Sequence, residues 1–146
     1  MRITSFRQSE KGTSNINNYS IVTIVEFAKE KIVIPGDIEA TGWGVLLGRN
    51  TFRDAISDTT ILVASHHGRE AGFCKELFDC FNPDVVIVSD GRVLETDATT
   101  RYYNHAKGTN VERRSGGTDR RYVLTTRKDG PIHVGVNNLG KYITVD

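Results

Sequence analysis

The sequence predicts a layered α/β fold, a mixed sheet with flanking helices, and three observations carry that expectation. Apolar, β-branched runs of strand length occupy residues 20–27, 31–34, 60–64 and 84–89. Between the last two, Phe73, Leu77, Phe78 and Phe81 recur at helical spacing. Polar residues able to do chemistry stand just past the strand ends rather than inside the strands, as in sheets whose loops build a site at one edge.

Taken in order, the opening residues, through Gly12 to Asn18, are polar and rich in Ser, Thr, Asn and Gly, and predict a loop before the first strand. Residues 20–27 and 31–34 read as a hairpin across Ala28, Lys29 and Glu30, and the second strand stops at Pro35-Gly36-Asp37. Residues 38–47 suit a helix with Trp43, Leu46 and Leu47 on one face. The strand at 60–64 ends in Ser65-His66-His67-Gly68, the helix at 71–81 stops at Asn82-Pro83, and the next strand runs into the turn Asp90-Gly91. Residues 98–106 suit a helix, and residues 107–119 an irregular basic loop. Residues 122–126, 132–136 and 142–145 suit strands, the first two joined as a hairpin across Lys128 to Pro131.

At 146 residues with 38% hydrophobic content, the chain suits one domain with one core. No run approaches the ~20 apolar residues of a membrane span, so a soluble, cytoplasmic protein is expected. Cys74 and Cys80 fall in one predicted helix with side chains pointing apart, and read as free thiols. The net charge of +1 conceals an asymmetry: residues 1–91 carry 9 basic and 12 acidic side chains, residues 92–128 carry 9 and 4.

Asp37 and the pair His66-His67 each follow an apolar strand. A carboxylate oxygen with imidazole nitrogens suits zinc or manganese, and Gly36 and Gly68 allow close approach of backbone and ligand. On spacing alone the signal is weak, and the same residues read more readily as a turn Asp and two surface histidines. His133, inside a strand and opposite in phase to Ile132 and Val134, reads as a surface residue.

The order of the words, however, resembles the metallo-β-lactamase domain of ComEC-type competence proteins and their stand-alone relatives. A hairpin is followed by Pro35-Gly36-Asp37-Ile38-Glu39, a helix, a strand, Ser65-His66-His67-Gly68, a helix, and residues 82–91. Tyr103-Asn104-His105 resembles that family's Tyr-Gly-His segment, and residues 125–134 resemble its closing hairpin. The resemblance implies the C-terminal half of an αββα sandwich, with Asp37 the carboxylate at two metal ions, zinc or manganese, and His66 a terminal ligand. His67 belongs to the same catalytic centre or takes the ligand position itself; His66 is preferred because it follows the strand directly. His105 is expected near the substrate, as a hydrogen-bond donor or proton carrier.

The family's His-x-His-x-Asp-His motif is absent from the sequence, in which His66 is the first histidine. Asp37 and a histidine alone leave zinc short of its usual protein ligands, so weak or absent metal binding is expected of this chain by itself. The expected partner is a missing N-terminal half-domain or a second copy, covering apolar surface that the half-sandwich leaves open. A complete domain would be a metal-dependent phosphodiesterase or nuclease, with single-stranded DNA a candidate substrate for the basic segment of Arg113, Arg114, Arg120, Arg121, Arg127 and Lys128. The rival expectation is a non-catalytic interaction module; a small-molecule hydrolase is a third.

Overall fold

The computed structural model describes residues 1–8, 14–90 and 98–146. Gly12 in the expected opening loop and Gly91 of the Asp90-Gly91 turn lie outside them.

Strand β1 (Arg2–Phe6) leads into β2 (Val22–Phe27) and β3 (Glu30–Ile34), which pair as the expected hairpin. Helix α1 (Ala40–Leu47) realises the helix expected at 38–47, and α2 (Asn50–Ile56) follows it. Strands β4 (Ile61–Val63) and β5 (Val85–Val88) flank a run of 3-10 turns. Helix α3 (Thr99–Tyr103), strands β6 (Thr109–Arg113), β7 (Thr118–Arg121) and β8 (Val123–Thr125), the single turn α4 (Thr126–Asp129), and strands β9 (His133–Asn137) and β10 (Gly140–Val145) complete the order.

Two mixed sheets result, one of six strands ordered β1-β2-β3-β4-β5-β8 and one of four ordered β7-β6-β10-β9. The first three strands of the large sheet are antiparallel, whereas β3, β4, β5 and β8 run parallel. Strand alternation divides its side chains cleanly between two faces. Val22, Ile24, Val33, Leu62, Val86 and Val88 point to one face and bury against Trp43, Leu46, Phe52, Phe73 and Phe78 of the helical layer. Ile61, Val85 and Leu124 point to the other and bury against Val111, Ile143 and Val145 of the small sheet. The chain is therefore layered as helices, large sheet, small sheet. No helix among the described residues is long and apolar enough to cross a membrane.

A partly buried cation ties the two sheets. Lys141 of β10 donates to Glu30 Oε2 at 3.0 Å and to Asp84 Oδ2 at 2.5 Å, across the start of β3 and the approach to β5. Burial opposes its charge, but these two hydrogen bonds and the carboxylate charges outweigh burial and raise the ammonium pKa.

Several expectations are corrected. The opening residues include a strand, β1, paired antiparallel with β2. The helix expected at 71–81 is instead a series of 3-10 turns, Glu70–Gly72 and Lys75–Asp79, and Gly72 between them lies against the Ser65 backbone, where a Cβ would stand 2.7 Å from the Ser65 carbonyl oxygen. The loop expected at 107–119 contains the hairpin of β6 and β7. Strands β8 and β9 do not pair: α4 and Gly130, at φ +66°, carry the chain from the large sheet to the small one. Cys74 and Cys80 are free, as expected, but they bracket a 3-10 turn instead of sharing a helix.

Candidate metal site

Parallel β3, β4, β5 and β8 bring their C-terminal ends to one edge of the large sheet, and the loops past those ends carry the residues singled out from sequence. Asp37 stands three residues beyond β3, His67 four beyond β4, and Ser89 one beyond β5. Two backbone ties hold the first two loops together. The His66 N–H donates to the Gly36 carbonyl at 3.1 Å, and the Ser65 hydroxyl donates to the carbonyls of Ile38 and Gly36. The Asp37 N–H in turn donates to Ser20 Oγ at 3.1 Å, fixing the turn that presents the carboxylate.

The Ser65–Gly68 turn has an unusual backbone. His66 and His67 lie at φ +48° and +57° and Gly68 at φ +78°, three successive left-handed residues. Two of them bear side chains, a conformation that costs about 1–2 kcal/mol per non-glycine residue and persists where surrounding structure over-determines it. The loop is held from below: Trp43 Nε1 donates to the Gly72 carbonyl at 3.1 Å, the Ala98 N–H donates to the Gly68 carbonyl at 3.2 Å, and buried Tyr102 reaches the Ser65 backbone.

This backbone decides which histidine meets Asp37. His67 Nε2 lies 3.5 Å from Asp37 Oδ1, with both side chains about half exposed. His66, the expected ligand, turns away into the protein: its Nδ1 is 3.3 Å from Glu39 Oε1 and its Nε2 accepts from Arg69 at 3.3 Å. Glu39 is fixed in its turn by Asn15 and Asn17, whose amides donate to its two carboxylate oxygens at 2.6 and 2.9 Å. His66 braces the loop through its N–H to Gly36 and its Nε2 to Arg69, its buried Nδ1 making no hydrogen bond among the described residues, and His67 is the imidazole at the open edge.

The tautomer of His67 follows from its neighbour. Its Nδ1 is 2.7 Å from the Ser89 carbonyl, which only accepts, so Nδ1 carries the proton. In the neutral ring, Nε2 then presents a lone pair to a carboxylate oxygen. Two zinc ligands at bond lengths of about 2.0–2.2 Å and a tetrahedral angle stand about 3.4 Å apart. The observed separation of 3.5 Å fits two donors sharing one cation, with the Ser89 carbonyl in the orienting position that metal-bound histidines commonly use. No group of three His, Cys, Asp or Glu side chains able to hold a metal occurs among the described residues. Asp37 and His67 offer two donors, fewer than such a group.

His105 is not brought to this pair by any contact the structure shows. Its ring stacks on Phe78 at 4.2 Å and 8° and lies beside Phe73, within the helical layer. Burial, then the charges of Lys75 and Arg101, lower its pKa, so at neutral pH it is an uncharged packing residue. His133 is exposed on β9 and meets Arg114 at 2.6 Å, as a surface histidine should. Asp90 is buried at the same edge but engaged: it accepts from the Arg127 N–H at 2.9 Å and pairs with the Arg127 side chain. Burial and the Glu76 carboxylate beside it push the Cys74 thiol up to about 12, which keeps it protonated at neutral pH.

Sequence reasoning missed the parts played by Ser89 and Glu39. Glu39, two residues past Asp37 in the same turn, was the available signal for His66; a backbone carbonyl such as that of Ser89 leaves no mark in sequence. No family model matches the chain, and no curated protein matches it.

Proposed function

We propose that this chain is the C-terminal part of a metal-dependent phosphodiesterase whose remaining ligands come from a partner segment carrying His-x-His-x-Asp-His. The observation that carries the reading is the approach of Asp37 Oδ1 and His67 Nε2 to 3.5 Å at the open edge, with the other ring nitrogen of His67 turned to the Ser89 carbonyl; a cation between the neutral imidazole and the carboxylate would be held by both. The ordered resemblance of the loop words to the metallo-β-lactamase domain supplies the class, and the half-sandwich of that fold is part of the same proposal.

Zinc or manganese bound between the two halves would lower the pKa of a coordinated water and neutralise charge on a leaving oxygen. The chain's own residues do the rest. Asp37 and His67 offer one oxygen and one nitrogen; the Ser89 carbonyl holds the imidazole in its binding tautomer; His66 and Glu39 brace the loop so that neither donor must be ordered during the reaction.

The large sheet supports the need for a complement. On β1, β2 and β3, the face turned from the helices carries Ile3, Val25, Phe27, Ile32 and Ile34, of which Ile3, Phe27 and Ile34 are exposed. Beside it, Val134 and Val136 of edge strand β9 help enclose a cavity of about 350 Å³. Such an uncovered apolar face favours a packed partner, half-domain or second copy. It is also what favours the rival reading, an interaction module in which Asp37 and His67 lie idle.

The test mixes the chain with a polypeptide bearing the missing motif, adds zinc or manganese, and follows cleavage of single-stranded DNA. Asp37→Ala and His67→Ala abolish the activity that appears. Full activity in either variant refutes the assigned roles, and complex formation without cleavage favours the interaction module.

A further inference from the structure

Beyond the metal pair, the free side of edge strand β8 carries a built cleft. Along β8, from its N-terminal to its C-terminal end, Arg120, Tyr122, Thr125 and Lys128 line a cavity of about 370 Å³ together with Thr99 and Tyr103. The rings of Tyr103 and Tyr122 lie 4.6 Å apart between centroids at 46°, and the Arg120 guanidinium lies 5.8 Å from the Tyr122 centroid. Gly108, at φ +85°, makes this possible, since a Cβ there would stand 2.9 Å from both Arg120 Nε and Tyr122 Cε1. Arg120 is further held by its donation to the Lys107 carbonyl at 2.8 Å.

The platform faces solvent. Tyr103 is 51% exposed, although large aromatics normally bury. The charge on its lining is positive among the described residues: Arg120 and Lys128 are exposed, and the neighbouring carboxylates Asp129 and Asp119 are paired with Arg121 at 2.8 Å and Arg113 at 2.6 Å. An aromatic pair next to fixed and mobile cations is the chemistry that stacks a base and holds its phosphates.

Position strengthens the argument. In the large sheet β8 lies two strands from β4, whose loop carries His67, a lateral offset of about 10 Å at the usual strand spacing. Thr126 Oγ1 donates to the Asp90 carbonyl at 2.7 Å, so the β8 loop is bonded to the β5 loop that orients His67. The Thr125 and Lys128 end of the cleft, past the C-terminal end of β8, is the end that shares an edge with Asp37 and His67.

We propose that the Tyr103–Tyr122 cleft is a subsite for single-stranded nucleic acid, Tyr103 and Tyr122 stacking an unpaired base and Arg120 and Lys128 holding the flanking phosphates. Its place in a cleavage reaction rests on the phosphodiesterase reading; the binding itself does not. Bases paired within a duplex do not offer their faces, so the subsite discriminates in favour of single strands.

The experiment is fluorescence anisotropy of a labelled oligothymidylate with the full chain in EDTA, repeated over a salt series. Tyr103→Ala weakens binding about tenfold. Lys128→Gln lowers the magnitude of the salt slope by about 0.7, the loss of one phosphate contact. Heparin, which has no bases, competes equally with wild type and Tyr103→Ala. Circular dichroism checks the fold of each variant, and Arg120→Gln tests the cleft with both tyrosines in place. The subsite is overturned by an unchanged affinity in Tyr103→Ala, by duplex bound as tightly as the single strand, or by no oligonucleotide binding at low salt. Because the readout needs no metal, binding without cleavage in the completed enzyme counts against the hydrolase reading alone.

Discussion

Gly68 is where the presentation of His67 is most easily broken without touching either donor. Adding a methyl there has two consequences that the structure separates. Alanine at φ +78° pays the left-handed penalty, about 1–2 kcal/mol. Its Cβ would also stand 2.8 Å from Cγ1 of Val88, a fully buried, β-branched side chain with no free rotamer to retreat into, which adds about 1–3 kcal/mol. Gly68→Ala should therefore lose about 2–5 kcal/mol, or about 4–20 °C in Tm for a chain of this size. Urea unfolding followed by the single tryptophan, buried Trp43, measures it. The steric part is isolated by a double-mutant cycle with Val88→Ala, which removes the obstructing methyl groups. The double variant should be less destabilised than the sum of the singles by about 1–3 kcal/mol. Additive costs, with Gly68→Ala below about 1 kcal/mol, would refute the packing argument for this loop.

Two further outcomes follow from the rest of the fold. Lys141→Met leaves Glu30 and Asp84 without their shared donor and should cost about 2–3 kcal/mol at neutral pH, less than a fully buried pair because Asp84 retains Lys107 at 3.7 Å. Since the folded pKa of Lys141 is raised above 10.5, that contribution is complete below the unfolded value and is lost as pH climbs through the folded one. The difference between wild type and variant, read by denaturant melts over pH, should be constant through neutrality and narrow above pH 10.5. Phe27→Asp places a charge in the open apolar face and should shift light scattering toward monomer or block complex formation with the complementary half; unchanged association would move the docking surface elsewhere.

What the sequence made legible was the part of the fold governed by burial on both faces. Strands β4 and β5 are runs of Val, Ile and Leu because the helical layer covers one side and the small sheet the other, and β2 and β3 keep Val and Ile toward the helical layer. Strands β6 and β7 were hidden by the opposite condition: on β6 only Val111 is buried, and no residue of β7 is, so their alternation carries almost no apolar signal. β1 is an edge strand whose outward positions are Arg2 and Thr4 on one face and exposed Ile3 on the other. Phe73, Leu77 and Phe78 do face the core as their spacing predicted, but 3-10 turns satisfy the same inward positions. At the site, the meeting of the Asp37 and His66-His67 loops was legible because parallel strands end at one edge. Which histidine faces Asp37 was not, because two consecutive left-handed residues reverse the orientation that proximity to the strand suggests.

The central claim, that Asp37 and His67 form a metal half-site while His66 braces the loop, is tested most directly by long-range proton–nitrogen NMR of the histidine rings during zinc titration. The account predicts an Nδ1-protonated His67 before metal, an Nε2 resonance of His67 that shifts as zinc is added, and a His66 pattern that does not move. Zinc that shifts His66 and leaves His67 unchanged, or a His67 carrying its proton on Nε2, would contradict it.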